Sequence, residues 1–233
     1  MKPRFIITFV CILFSSITFS QEYVLQEKTT DFSDIGKEGP NLFKYTFWYF
    51  NSTYSFGDNK KGAELSPLAL HNSNFGTRLK LKLNKYLAFG LGLNFHSSTF
   101  PIKQNSDKIV PDTMIYKKQI IELRSPGAEA FIRINFNKRR GNMIGTFLDF
   151  GVLGEHNTFS TISNTYYKDA QKHIEKIRKI SFIEPFTGFA VVRFGHNFFS
   201  VTASYRLTAL FKPSYNFPEL PVYSVGLELS THK

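Results

Sequence analysis

Cysteine is almost missing from these 233 residues: the only one, Cys11, sits in a short apolar run near the start. Disulfides, thiol catalysis and cysteine-rich metal sites therefore have no basis in the rest of the chain. Long apolar runs are missing too. Nothing after residue 20 reaches the ~18 consecutive apolar residues of a membrane helix. Acids are scarce, 18 Asp and Glu against 29 Lys and Arg, which gives a formal charge of +11. No glycine-rich loop precedes a helical pattern, so nucleotide binding has no support.

The first residues differ from the rest. Met1-Lys2-Pro3-Arg4 is basic, Phe5 to Phe14 is apolar, and Thr18-Phe19-Ser20 places small residues before a plausible cut. This pattern predicts a secretory signal peptide over 1–20, cleaved before Gln21. A run of ten is well short of the ~20 residues of a spanning helix, which argues against an uncleaved anchor. The mature chain would have 213 residues and a charge of +9, because Lys2 and Arg4 leave without any acid. A periplasmic segment over 21–41 and a single domain over 42–233 are expected.

What is abundant is aromatic: 26 Phe and 11 Tyr. Such residues favour strands, and the spacing agrees. From Phe75, the apolar Phe75, Leu79, Leu81 and Leu83 alternate with Gly76, Arg78, Lys80 and Lys82. After Asn84-Lys85-Tyr86, Leu87, Phe89, Leu91, Leu93 and Phe95 alternate with Ala88, Gly90, Gly92, Asn94 and His96. A period of two marks half-buried strands, and a three-residue loop keeps both apolar sets on one side of a hairpin. The same alternation recurs over 127–136, 144–152, 186–194, 199–208 and 223–229. The apolar sets include Ile144 and Phe150, then Val192, Val201 and Leu227. With the aromatic run 43–56, whose facing the pattern leaves unassigned, the count is eight strands. Short connections (84–86, 137–142, 195–198) alternate with long ones (57–73, 98–118, 158–179, 211–219).

A soluble lipocalin-type barrel would show the same period with its apolar side inward. Three features favour the inverse. The strands run about 10–12 residues against the ~9–11 of a tilted membrane strand. Short turns collect at one end and long loops at the other. The polar face mixes glycine with opposite charges: Arg78, Lys80, Lys82, Arg133, Arg193 and Arg206 against Glu129, Asp149 and Glu228. Eight strands leave an interior that side chains just fill, so these are the expected interior charges.

Little else carries chemistry. His71-Asn72-Ser73-Asn74 resembles the His-x-Ser-Asn element of outer-membrane lipid A deacylases, where a carboxylate would orient the His. Here the next acid after Glu64 is Asp107. The six histidines show no paired metal spacing, and neither metal nor other cofactor is expected. The basic loop 158–179, with Lys168, Lys172, Lys176, Arg178 and Lys179, can pair with lipopolysaccharide phosphates, but charge alone gives only non-specific attraction. Asp169 to Lys179 has Ile174 and Ile177 three apart, as a short helix would. Nucleic acid is not expected as a partner.

The stretches Ile120-Ile121-Glu122-Leu123 through Phe136, Phe147-Leu148-Asp149-Phe150-Gly151, and Ser204-Tyr205-Arg206-Leu207 on to Leu220-Pro221-Val222-Tyr223-Ser224-Val225-Gly226-Leu227 resemble the PorT-like outer-membrane β-barrel family of Bacteroidota. The resemblance implies a barrel from about residue 42 onward, and an accessory role in secretion or envelope assembly. The sequence thus predicts an all-β, eight-stranded antiparallel up-and-down transmembrane barrel in the outer membrane, with no catalysis. It would bind or scaffold through its long extracellular loops. Lipid including lipopolysaccharide and an envelope or secretion protein are the expected partners. The alternatives are a narrow, porin-like pore and a lipid A deacylase.

Overall fold

The computed structural model describes residues 39–57, 60–66, 71–137, 141, 143–169 and 171–231. The predicted leader, the greater part of the segment 21–41, the basic turn residues Lys138, Arg139 and Arg140, and His232 lie outside them.

The strands follow the alternation. They are β1 (Lys44–Phe56), β2 (His71–Lys82), β3 (Leu87–Ile102), β4 (Lys118–Asn135), β5 (Thr146–His156), β6 (Phe159–Lys168), β7 (Gln171–Arg178), β8 (Phe186–His196), β9 (Phe199–Arg206) and β10 (Tyr223–Ser230). Eight of them close a ring in the order β1-β2-β3-β4-β5-β8-β9-β10, and β10 pairs back on β1 from Tyr49↔Ser230 to Phe56↔Tyr223. Every pairing is antiparallel. This is a closed eight-stranded barrel, and closure leaves it no open edge.

The remaining two strands lie where the sequence predicted a loop. β4 switches partner: Gly127–Asn135 pairs with β5, while Lys118–Arg124 pairs with β6. Because β3 stays paired with β4 as far as Ile102↔Gln119, the wall rises beyond the barrel. β7 continues it by pairing with β6. The short helix expected over 169–179 is therefore corrected to a strand. Its two isoleucines imitate helical spacing, but Ile177 lies opposite Ile162 and Ile174 opposite Thr165 in the ladder.

The facing is inverted relative to a soluble barrel. Leu93, Val152, Phe194 and Leu227 are each more than half exposed on the outside, whereas Arg78, Arg133, Asp149 and Arg193 are buried within. β1 also resolves. Its odd residues Tyr45, Phe47 and Tyr49 are buried, and its even residues Trp48, Phe50, Tyr54 and Phe56 are exposed. Ile144 departs from the alternation: placed by pattern on the apolar outer face, it is buried with Tyr45, Phe47 and Phe147. It precedes β5, so the pleat does not set its direction. This aromatic cluster fills the short-turn end, where Pro40 is also buried.

The long-loop end carries its own core. Leu65, Phe100, Ile102, Val110, Ile121, Leu123, Ile162, Phe182, Leu210, Phe211 and Leu220 form one buried cluster, with Phe217 packed against it. The connections there are thus held by apolar burial, and form a cap.

Candidate functional site

The inward residues of β2, β4, β5, β8 and β10 build a ladder of alternating charge. Arg78 donates from Nε to Glu129 Oε2 at 2.9 Å and from Nη2 to Glu228 Oε2 at 3.0 Å. Glu129 also accepts from Arg193. Arg193 Nε reaches Asp149 Oδ2 at 3.4 Å, and Asp149 holds Arg133 by two bonds of 2.7 and 2.8 Å. The sequence Glu228, Arg78, Glu129, Arg193, Asp149, Arg133 spans the lumen with three cations and three anions, so the large cost of burying each charge is offset by neighbours of opposite sign. Ring faces complete the packing: the Arg78 guanidinium lies 3.5 Å from the Tyr49 centroid and that of Arg133 lies 3.7 Å from Phe147. Phe131 fills the space beside them only because Gly90 faces it. A Cβ on Gly90 would run into the Phe131 ring.

The other expected interior charges lie elsewhere. Lys80 donates to the Pro40 carbonyl, and Lys82, which is half-buried, donates to the Asn41 carbonyl at 2.7 Å. Both therefore hold the chain where it enters the short-turn mouth. Arg206 is buried, but near the cap, bonded to Glu219 at 2.7 Å and to the Leu220 carbonyl at 2.9 Å. Its partner Glu219 also accepts from the backbone N–H of Leu210 and Phe211. Periodicity gave no access to Glu219, which lies in a loop. His96 Nδ1 meets Glu155 Oε1 at 2.9 Å and its Nε2 meets Ser98 Oγ at 3.1 Å, another interior group that strand-by-strand parity did not pair.

Between ladder and cap lie two small spaces, of about 50 and 30 Å³. Asn51 Oδ1 and Thr202 Oγ1 line the first, and Asn72 Oδ1 and Arg206 Nε the second, none with a hydrogen-bond partner among the described residues. Spaces of that size hold a few waters, which such orphaned atoms require.

The deacylase-like element does not assemble a triad. Asn72 turns inward to Ser55 Oγ at 2.6 Å, leaving His71 and Ser73 on the outer face, where their cross-strand neighbours are Thr99, Ser52 and Ser97. Among the described residues no group of His, Cys, Asp and Glu could hold a metal.

The basic loop residues lie on the hairpin. Lys168 ends β6, Lys172, Lys176 and Arg178 are on β7, and Lys179 follows it. Every residue of β7 is exposed. Beside Lys172, a groove of about 460 Å³ is lined by Lys103, Lys117, Lys118, Thr165 and Tyr167. Lys117 Nζ donates to the Tyr167 hydroxyl at 2.8 Å and lies 4.3 Å from its ring centroid. That hydrogen bond, with the charges of Lys117 and Lys172, holds the Tyr167 phenol below its ordinary pKa.

No protein family matches the chain, and no characterised protein resembles it in sequence. Among solved structures, Ail, the attachment invasion locus protein of Yersinia pestis, crystallised with the heparin analogue sucrose octasulfate, is similar at a TM-score of 0.37 and 10% identity, over 81% of this chain and 98% of that one.

Proposed function

We propose that this protein is a non-catalytic outer-membrane barrel, a rigid anchor that presents its long-loop end outside the cell for binding. One observation carries the reading: the lumen is filled across its width by paired charges, while a sheet with an exposed cationic face rises from β4 above it. A filled interior offers solutes no path, so the exterior is where function lies. An outward face of Leu, Val and Phe suits hydrocarbon, and Tyr54, Phe56, Tyr205 and Tyr223 gather at the cap-side rim in the manner of an interfacial aromatic girdle. The resemblance to PorT-like barrels supports an accessory part in secretion or envelope assembly.

The test uses the full-length protein and cells that express it. Planar bilayers should show no discrete conductance, and lipid A should keep its acyl chains. A cysteine replacing Lys176 should react with a membrane-impermeant reagent on intact cells, and one replacing Lys85 should not. Conductance steps or loss of acyl chains would overturn the reading, as would labelling in the reverse sense.

A further inference from the structure

The outward face of β4 is continuous. Ile132, Ala130, Ala128 and Pro126 stand on the barrel wall, and Arg124, Glu122, Ile120 and Lys118 follow on the same side of the same strand. The register carries the face sideways: Glu122 lies level with Thr161 and Arg178, Ile120 with Ser163 and Lys176, and Lys118 with Thr165 and Ile174; Tyr167 and Lys172 form the next rung. Lys117 joins them through its bond to Tyr167. Six cations, Lys117, Lys118, Arg124, Lys172, Lys176 and Arg178, thus share this face with one carboxylate, Glu122, which approaches Arg124 at 3.9 Å. Lys118, Lys172, Lys176 and Arg178 make no ion pair among the described residues. Glu64 neutralises Lys103 at the groove edge, at 2.8 Å, and Glu175 lies on the opposite face of β7.

Lysines on an edge strand deter unwanted pairing, which accounts for Lys172 and Lys176. It does not account for Lys117, Lys118 and Arg124, which belong to the interior side of the sheet. From Arg124 to Lys118 the strand rises about 20 Å, and same-face neighbours stand about 7 Å apart along it. Because the wall below is the apolar belt, whatever lies against the cations above it surrounds the barrel laterally. Resting on the outer-membrane reading above, we propose that this face binds the phosphorylated saccharide headgroup of lipopolysaccharide in the barrel's own leaflet. Phosphates meet the lysines and Arg178, and the Tyr167 ring and the Thr165 hydroxyl in the groove offer a sugar a stacking surface and a hydrogen bond.

The test titrates full-length protein in detergent with purified rough-type lipopolysaccharide. It is repeated with the same material dephosphorylated, with the phosphorylated core oligosaccharide freed from lipid, and with polyglutamate. Each cation near an anionic membrane surface strengthens binding about fivefold. The triple variant Lys118→Gln/Lys172→Gln/Lys176→Gln should therefore bind intact lipopolysaccharide roughly a hundredfold more weakly, as should wild type with the dephosphorylated form. Lys85→Gln, in the opposite turn, should bind as wild type does. A heat-dependent shift in gel mobility verifies that each variant is folded. Equal affinity of the triple variant and wild type would overturn the proposal. So would freed oligosaccharide binding as tightly as intact lipid, which would identify a soluble glycan, or polyglutamate binding more tightly, which would identify an acidic protein. Conductance and surface labelling are separate measurements, so a failure here leaves the anchoring barrel intact.

Discussion

The lumen and the outer sheet are both rich in arginine and lysine, yet the two regions use them in opposite ways. In the lumen each arginine of the ladder meets carboxylates projecting from other strands of the barrel, and Asp149 is fully buried between Arg133 and Arg193. On the hairpin, Lys172, Lys176 and Arg178 stand in solvent without such partners among the described residues. Charge balanced in a poorly solvated interior is structural: removing one member strands another. Unbalanced charge on an exposed face contributes little to folding and remains free to bind. The position of a charge along the barrel, more than its identity, decides which of these it does.

The largest effect should come from breaking the ladder where it is most enclosed. Asp149→Asn leaves Arg133 and Arg193 short of an anion, and should destabilise by about 3–5 kcal/mol in urea titrations of protein refolded into lipid. A charge placed on the outer wall tests the third environment, with neither partner nor water. Leu91→Arg should cost roughly 2–4 kcal/mol, as charged residues do at the midplane of membrane barrels. A smaller effect should follow from crowding the lumen. Gly90→Ala forces a methyl onto Phe131 and should cost about 1–3 kcal/mol, whereas at Gly154, where an added Cβ meets nothing within 4 Å, the same change should be nearly neutral.

The barrel was legible because an apolar exterior and a filled, polar lumen impose strict alternation, visible from Phe75 to Phe95 without any structure. β1 resisted assignment because aromatics occupy both its faces: Tyr45 and Phe47 close the short-turn end while Trp48 and Phe50 face outward. The hairpin was hidden for a different reason. Gln171 to Arg178 is exposed on both sides, so no burial contrast imprints a period of two, and Ile174 and Ile177 suggest a helix instead. Arg206 was legible as an inward residue, but its partner was not, since Glu219 reaches it from a loop whose course depends on the cap. Alternation put His96 on the polar face, but Glu155 lies beyond the predicted strand 144–152, and their meeting requires the β3, β4 and β5 registers together.

The most direct test of a sealed, charge-balanced lumen below a solvated outer sheet is the difference in urea midpoint between Glu129→Gln and Glu175→Gln. Both changes remove one negative charge and keep side-chain length. Glu129 bridges Arg78 and Arg193, while Glu175 is exposed on β7. A loss of about 3–5 kcal/mol is expected for Glu129→Gln and within about 0.5 kcal/mol for Glu175→Gln. Equal and negligible shifts would mean that Glu129 is hydrated, and a water-filled channel would then replace the sealed barrel.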